Sequence, residues 1–528
     1  MPEAAASLAT IAARVREAEH PWLLRPSFPS LRDELEGLYA SRGYAPLWLD
    51  GARPTAGVED AIAVLADAGE KGLDPQDYDV RLLDARRRAL AAGAATSPEQ
   101  LALFDVALSV GLLRLISDLH IGRANPRSAD FVLDVEARKV ELPALVADAV
   151  REGRVREVVS EVEPDFHDYR RLLDALAAYR ALASDPGVAP AALEPTLRPG
   201  DAFASADALA RWLAALGDLP RDASPTPNRY AGALVAAVER FQRRHRLEPN
   251  GVIDAATARA LAMPPAARVR QIELALERFR WIPEVGEQRF VFVNVPAFEL
   301  HAFDAMDPPE GPALSMRVVA GRAGRTPTPV LAAALKNVAF SPYWNVPRSI
   351  VRNEMLPKLE RDPGYLASQQ MEIVAGDRVL PDSRESVALL AAGEARLRQR
   401  PGPKNALGRV KFLFPNAHDV YLHDTPSQTL FRASRRDFSH GCVRVEQPEA
   451  LAAWVLRDQP EWTPERMAEA LAGPSETRVS VRSPILVLLF YTTVHVRRDG
   501  SISFYEDLYG HDAALERALE RYQDGPPA

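Results

Sequence analysis

Near residue 288 the spacing of apolar residues changes, and no other feature of this 528-residue chain restricts its fold as much. Upstream, apolar residues recur three and four apart, the spacing of one helix face. "LRDELEGLYASRGYAPLW" (31–48) keeps that spacing until Gly43 and Pro46 interrupt it. "GVEDAIAVLADAGEKGLDPQDY" (57–78) repeats the pattern and closes on a Gly-Leu-Asp-Pro turn. "LALFDVALSVGLLRLISDLHIGRANP" (101–126) is apolar almost all round, which predicts a buried central helix ending at Gly122. Downstream, "RFVFVNVPAFELHAF" (289–303) alternates with the period of a strand, and "ALSMRVVAG", "AFSPYWNVP" and "DVYLHDT" keep β character. Two stretches between them, "RSIVRNEMLPKLERDPGYL" and "SRESVALLAAGEARLRQRPG", read as helical inserts. The chain is therefore expected to be multidomain α+β, with a helical first half and a mainly β second half.

Composition breaks place the boundaries. "ASDPGVAPAALEPTLRPGD" (183–201) is rich in Pro and Gly and separates a helical domain, 1–197, from a compact block, 198–264. That block holds two amphipathic helices around a turn-rich loop, a tight turn at Asn250-Gly251, and Asp254 placed to cap a last short helix. A helical linker is expected over 265–287 and a β domain over 288–480, with a helical insert at about 346–413. "ILVLLFYTTVHVRRDGSISFY" reads as a hairpin around Asp499-Gly500, followed by the helix "DAALERALERY", so 481–528 forms a C-terminal hairpin and helix.

A net charge of -8 and a pI of about 5.8 argue against a nucleic-acid partner, which calls for a basic stripe. The longest unbroken apolar run, "ILVLLFY" at 485–491, is strand-sized, so no transmembrane segment is expected in the chain. His120 and Arg123, at the end of the apolar helix, read as packing and helix-end groups.

The single cysteine, Cys442, stands in "SHGCVRV" (439–445). It cannot form an internal disulfide, and no CxxC pair suggests a zinc site. His423, His440 and Cys442 lack a fourth metal ligand at convincing spacing, so no metal is assigned and no cofactor is called for. A thiol is mostly neutral at pH 7, and a nearby imidazole can take its proton to give the attacking thiolate. His423, 19 positions upstream on a strand end, is the candidate base, with a backbone carbonyl or Asp424 orienting its other ring nitrogen. Gly441 removes a Cβ that could obstruct a substrate carbonyl, and N–H groups of the His-Gly-Cys turn could form an oxyanion hole. His440 reads as more structural than catalytic, because one base suffices.

"HDTPSQTLFRASRRDFSHGCVRV" closely resembles the active-site signature of the L,D-transpeptidases, cysteine enzymes with a YkuD-type β fold: a His, a spacer, then Ser/Thr-His-Gly-Cys. Here these positions are His423, Ser439, His440, Gly441 and Cys442. The resemblance extends through "TPTP", "AFSPYWNVPRSIVRNEMLPKL", "PGPKNALGRVKFLFPN" and "SHGCVRVEQPEALA". "LAALGDLP", "AVERFQRRHRLEPNGVID" and "TARAL" resemble a three-helix peptidoglycan-binding domain. With the helical N-terminal scaffold, the whole is similar to the large periplasmic branch of the family. One position departs from the broad pattern: Arg444 stands where Asn is frequent.

The resemblance implies that Cys442 attacks the carbonyl between diaminopimelate and the terminal D-Ala of a peptidoglycan tetrapeptide stem. His423 would shuttle the proton, D-Ala would leave, and a second stem's diaminopimelate amine would resolve the thioester into a 3–3 cross-link. Arg444 would pair with a stem carboxylate, Tyr421 and Trp344 could line the site or simply pack, and the insert would cap the groove. The partners implied are peptidoglycan tetrapeptide stems and possible cell-wall synthesis proteins. Same-fold alternatives are an L,D-carboxypeptidase and a lipoprotein–peptidoglycan linkage enzyme; one of another class is a non-catalytic wall-binding protein. The implied location is the periplasm. Because the first ~20 residues show no basic-then-apolar leader, an export signal is expected upstream of Met1, with the mature fold beginning near Pro21.

Overall fold

The structure, a computed structural model, describes residues 2–523 except 95, 136–140, 191–192, 194–195, 221, 284 and 309. It divides into two compact units. The first comprises Met1–Pro283 and Thr492–Ala528, and the second Glu284–Tyr491.

The first unit is helical. Its centre is α1 (Pro98–Ile121), started by a reciprocal cap in which Ser97 Oγ accepts from the Gln100 N–H and Gln100 Oε1 accepts from the Ser97 N–H. By length and composition this helix is apolar enough to cross a membrane, yet most of it is buried inside the protein. Scattered polar residues in α1 break the continuity of its apolar run without lowering its mean hydropathy much. Those polar residues have partners. Asp105 accepts from the Tyr39 hydroxyl (2.7 Å) and from the N–H groups of Leu47 and Trp48, and Ser109 Oγ accepts from Trp48 Nε1 (2.9 Å). Ile11 and Val15 are fully buried in the same core, so the fold begins before Pro21.

The three-helix block follows α2 (His167–Ser184). It consists of α3 (Ala206–Ala215), α4 (Ala233–Arg244) and α5 (Ala255–Leu261), around a core that includes Leu209, Trp212, Leu234, Val238, Phe241 and Leu261. The "FQ" and "NG" of its sequence meet in space: buried Gln242 donates to the Val252 carbonyl (2.7 Å) and accepts from the Gly251 N–H (2.9 Å). Gly251 has φ +71°, and a Cβ there would come within 2.7 Å of Val235, so the turn requires glycine on both counts. Asp254 caps α5 by accepting from the Thr257 N–H (2.7 Å).

The expected linker is instead a core helix, α6 (Pro265–Phe279), packed on α2. It carries Glu277, fully buried, which accepts from the N–H groups of Arg123 and Ala124 and pairs with the guanidinium groups of Arg123 (3.3 Å) and Arg280 (3.1 Å). Arg123 and His120 are thus structural, the latter bonding the Val162 carbonyl through Nδ1 (3.1 Å). The C-terminal hairpin is Val494–Val496 with Ile502–Phe504, and the helix His511–Gln523 brings the Tyr522 hydroxyl onto Asp118 (2.7 Å).

The second unit is a closed β-barrel with a small inserted subdomain. Its strands are β1 (Phe290–Asn294), β2 (Glu299–Phe303), β3 (Leu314–Gly321), β4 (Val330–Phe340), β5 (Trp344–Asn345), β6 (Met371–Ala375), β7 (Arg378–Val379), β8 (Arg396–Gln399), β9 (Val410–Leu413), β10 (Leu422–His423), β11 (Asp437–Ser439), β12 (Val443–Val445) and β13 (Thr477–Phe490). The barrel order is β9-β10-β12-β3-β2-β1-β13-β4, and β4 pairs back onto β9, so that path has no free edge. β10–β12 and β1–β13 are its parallel pairs. β13 crosses the expected boundary at 480/481, so the first limb of the anticipated hairpin is a barrel strand, and the hairpin is confined to 494–504.

The insert is less helical than its sequence suggests. β7, β6, β8 and β5 form a four-stranded sheet in that order, and helices cover a core of Val346, Val351, Met355, Leu366, Ile373, Leu390 and Leu397. It ends before 410, because β9 belongs to the barrel. "MEIVA" and "RLRQ" are too short to show period two clearly, which is why the helical flanks dominated the sequence pattern.

Candidate active site

Strand register assembles the site. β10 and β12 run parallel, with Leu422 beside Val443 and His423 beside Arg444, while Lys411 on β9 faces His423. Because side chains alternate, Leu422, Val443, Val445, Val410 and Phe412 fill the barrel, and each is buried. Tyr421, His423, Cys442, Arg444 and Lys411 then share the other face. Burying each of those apolar side chains is worth about 1.5–3 kcal/mol, so a one-residue slip that exchanged the faces is strongly disfavoured.

His423 is buried and held by Nδ1, which donates to the backbone carbonyl of Asp424 at 2.5 Å. Both acceptors considered from the sequence therefore resolve into one: the carbonyl of Asp424 and not its carboxylate. That carboxylate accepts from the N–H groups of Arg409 (2.8 Å) and Thr425 (2.7 Å) and from Gln428 Nε2, bracing the loop. Gly408, at φ +60°, makes room for it: a Cβ there would lie 2.2 Å from Asp424 Oδ2. Burial, reinforced by the positive charge of Arg444, pushes the His423 imidazolium down to a pKa of about 3. The ring is neutral at pH 7, with Nε2 left as the acceptor.

Cys442 is half-buried. Its thiol lies 4.0 Å from the Asp419 carbonyl and is also contacted by the backbone and hydroxyl of Tyr421. Burial raises the thiol pKa, while the Tyr421 contacts and the charges of Lys411 and Arg444 pull it down by less. No hydrogen bond joins Cys442 Sγ to His423 among the described residues. The resting pair is thus neutral thiol and neutral imidazole. Apo sites of this kind commonly tighten only with substrate bound.

The Ser-His-Gly-Cys turn has a division of labour the sequence did not show. Ser439 Oγ donates to the Cys442 carbonyl (2.5 Å) and accepts from the Gly441 N–H (3.2 Å). Gly441's carbonyl accepts from Thr328 Oγ1 (2.8 Å). Ser439 is therefore a brace, and the Gly441 N–H is already engaged and unavailable to an oxyanion. The N–H groups of His440 and Cys442 are the donors this turn leaves for that role. Gly441 has φ +108°, and an added Cβ would meet nothing closer than 3.8 Å, so its glycine answers a backbone requirement and not crowding within the fold.

His440 is exposed, and its Nε2 lies 2.6 Å from Glu354 Oε1 of the insert. Trp344, on β5, lies beside Tyr421, which contacts Cys442, so both aromatics are at the site. Trp344 also packs against the insert core, so lining and packing coexist in one side chain. Arg444 Nε is buried with no hydrogen-bond partner, leaving a guanidinium edge beside the thiol and the imidazole.

Two residues were missed from the sequence. Arg436 is buried and donates to the carbonyls of Val318 (3.0 Å), Ala433 (2.7 Å) and Phe298 (3.0 Å), fixing the strand that leads into the turn. Lys411 is half-buried, with Nζ 3.8 Å from the centre of the Tyr421 ring. The apolar-Lys-apolar pattern of "VKF" was the available signal for Lys411. A cavity of about 590 Å³ opens beside Asp424, lined by residues that include Arg409, Thr425, Gln428, Glu446 and Glu449.

Comparison with known proteins bears on the whole arrangement. Residues 288–481 match the family described as "L,D-transpeptidase catalytic domain", 205–261 that described as "Putative peptidoglycan binding domain", and 33–176 that described as "Scaffold domain". A Haemophilus influenzae protein named "Putative L,D-transpeptidase" is 34% identical over 251 residues, 47% of this chain and 49% of that protein. The chain thus spans about half the length of that curated relative. A crystal structure of an L,D-transpeptidase (residues 123–326) from Xylanimonas cellulosilytica covers 56% of this chain and 98% of its own at 16% identity, with a TM-score of 0.17.

Proposed function

We propose that this chain, which carries a YkuD-type L,D-transpeptidase catalytic domain and a peptidoglycan-binding domain, forms 3–3 cross-links between peptidoglycan stems in the periplasm. The observation that carries the reading is the neutral imidazole of His423, oriented by the Asp424 carbonyl on the face that bears Cys442.

A donor tetrapeptide stem places the carbonyl between diaminopimelate and D-Ala over Cys442. Sγ turns from the Asp419 carbonyl toward His423, Nε2 takes the thiol proton, and the S–C bond forms. The N–H groups of His440 and Cys442 receive the developing oxyanion. The C–N bond breaks, the His423 proton passes to the departing D-Ala amine, and a thioester remains. The side-chain amine of diaminopimelate on a second stem then attacks. Its proton goes to His423, the C–S bond breaks, and the proton returns to sulfur as the cross-link is completed. Arg444, with its unpartnered Nε, binds a stem carboxylate. Trp344 and Tyr421 form the wall.

The test is incubation of the protein with purified tetrapeptide muropeptides, followed by mass analysis. The expected products are free D-Ala and a dimer joined through two diaminopimelates, with a transient protein adduct at Cys442. D-Ala release with only monomeric tripeptide would replace cross-linking by hydrolysis. No D-Ala release and no adduct would remove the enzymatic reading.

A further inference from the structure

We propose that Lys411 is a positioning residue that stabilises the thiolate of Cys442 electrostatically through the space beside Tyr421, a role that rests on Cys442 being the nucleophile.

The geometry is built by three strands. Lys411 is paired with His423 across β9–β10, and Cys442 immediately precedes β12, one position before the partner of Leu422. Lys411 therefore stands on the thiol's side of the sheet, two strands away. A lysine there could swing into solvent, but this one does not. Its ammonium rests 3.8 Å from the centre of the Tyr421 ring, whose hydroxyl contacts the thiol. A cation over an aromatic face is attracted to it, more so when partly desolvated, as Lys411 is.

Nothing within the described residues neutralises that charge by contact: no ion pair involves Lys411. Burial lowers the Lys411 pKa; a Cys442 thiolate is foremost among the groups that would oppose this, ahead of Glu476 and Asp419, while Arg478 adds to the lowering. Glu476 is itself engaged by the Tyr343 N–H (3.0 Å) and by Arg478 (3.4 Å). Around the thiol stand Lys411, Arg444, Tyr421, neutral His423 and the carbonyl of exposed Asp419. Two of these are cations, and they differ in what they can do. Arg444 keeps a buried guanidinium edge free to bind an anion, whereas the Lys411 ammonium is held on Tyr421. When the thiol loses its proton, burial opposes the new charge, and a fixed ammonium offsets part of that opposition without any rearrangement.

The test needs no substrate. Alkylation of Cys442 by iodoacetamide in the full chain is followed against pH, because the thiolate alone reacts and no other cysteine is present. Lys411→Met should move the midpoint to higher pH and slow alkylation below the wild-type midpoint by about tenfold, the effect of one pKa unit. Lys411→Arg should restore most of the rate, and Lys411→Gln, which keeps length and polarity, should behave as Lys411→Met. Where Lys411→Met folds poorly, the Gln and Arg pair carries the comparison alone. Unchanged midpoints in folded Met or Gln variants would overturn the proposal, as would an Arg variant no better than Gln. A shifted midpoint in a protein that does not process muropeptides would retract the cross-linking function and leave this role standing. Cross-linking with an unmoved midpoint would do the reverse.

Discussion

Two regions of this molecule bury polar side chains, and they do so on opposite terms. In the helical unit, Glu277 lies fully buried between Arg123 and Arg280. Burial alone would raise its pKa, but the two guanidinium groups and two backbone N–H donors outweigh that and hold it below the usual carboxylate range. In the barrel, burial wins. His423 is driven neutral, the Cys442 thiol is pushed up, and Arg444 keeps an unpartnered Nε. In the first cluster both carboxylate oxygens of Glu277 are satisfied within the protein. The second is left short of partners, and a group short of partners is one a substrate can complete.

This contrast can be broken by mutation. Cys442→Ala should abolish the acyl adduct and all turnover while the melting temperature stays near wild type, measured by intact mass and thermal unfolding; retained D-Ala release would locate the nucleophile elsewhere. His423→Ala should slow turnover by about 10²–10⁴, the range for loss of a general base. A drop of less than tenfold would mean that another group accepts the proton. Glu277→Ala should act in the opposite sense, costing about 3–5 kcal/mol in urea unfolding by stranding two buried cations, with activity per folded molecule preserved. Loss of activity without loss of stability there would collapse the distinction between the regions. Tyr421→Phe removes one hydroxyl from the thiol and should lower the rate of alkylation or turnover by about 2–10-fold, the worth of a single hydrogen bond.

Acid titration sharpens the comparison. The His423 pKa is depressed in the folded state to about 3, so the unfolded chain binds the extra proton between pH 6.5 and 3. The stability that depends on a neutral His423 is complete above pH 6.5 and is lost as pH falls toward 3. His20 and His511 in the helical unit, each lowered to about 4 by burial first, add slopes of the same sign. His423→Gln should flatten the pH dependence of barrel unfolding by up to one proton and leave that of the helical unit alone. A barrel slope identical to wild type would mean that His423 is not held neutral.

That His423, Ser439, His440, Gly441 and Cys442 belong to one region was legible in the sequence from their types and order. Their individual duties were not. Ser439 and the Gly441 N–H bond each other, a fact of turn geometry that no spacing reveals. Lys411 was hidden for a different reason: it sits 31 positions from Cys442, and only the pairing of β9, β10 and β12 brings it near. The same holds for Arg436, a buried cation whose acceptors are carbonyls, which carry no sequence identity. Helices were readable where amphipathic spacing ran for several turns. The insert's sheet was not, because its strands are two to five residues long and non-local partners define them. Likewise α1 was anticipated as a central helix from its pattern, while its length in apolar terms was underestimated by looking only for unbroken runs.

The helical unit is discontinuous, closing only after the chain has passed through the whole barrel and returned at Thr492. On a ribosome this has an order to it. All residues of the barrel are synthesised before the last helix of the helical unit exists, so the barrel can be complete while Asp118 still waits for the Tyr522 hydroxyl and Arg278 for Asp512. A truncation after Tyr491 would therefore spare the enzyme's reacting groups and injure the opposite end of the gene product, its amino-terminal scaffold. Late nonsense mutations should read out as degraded or aggregated protein rather than as folded, catalytically silent protein.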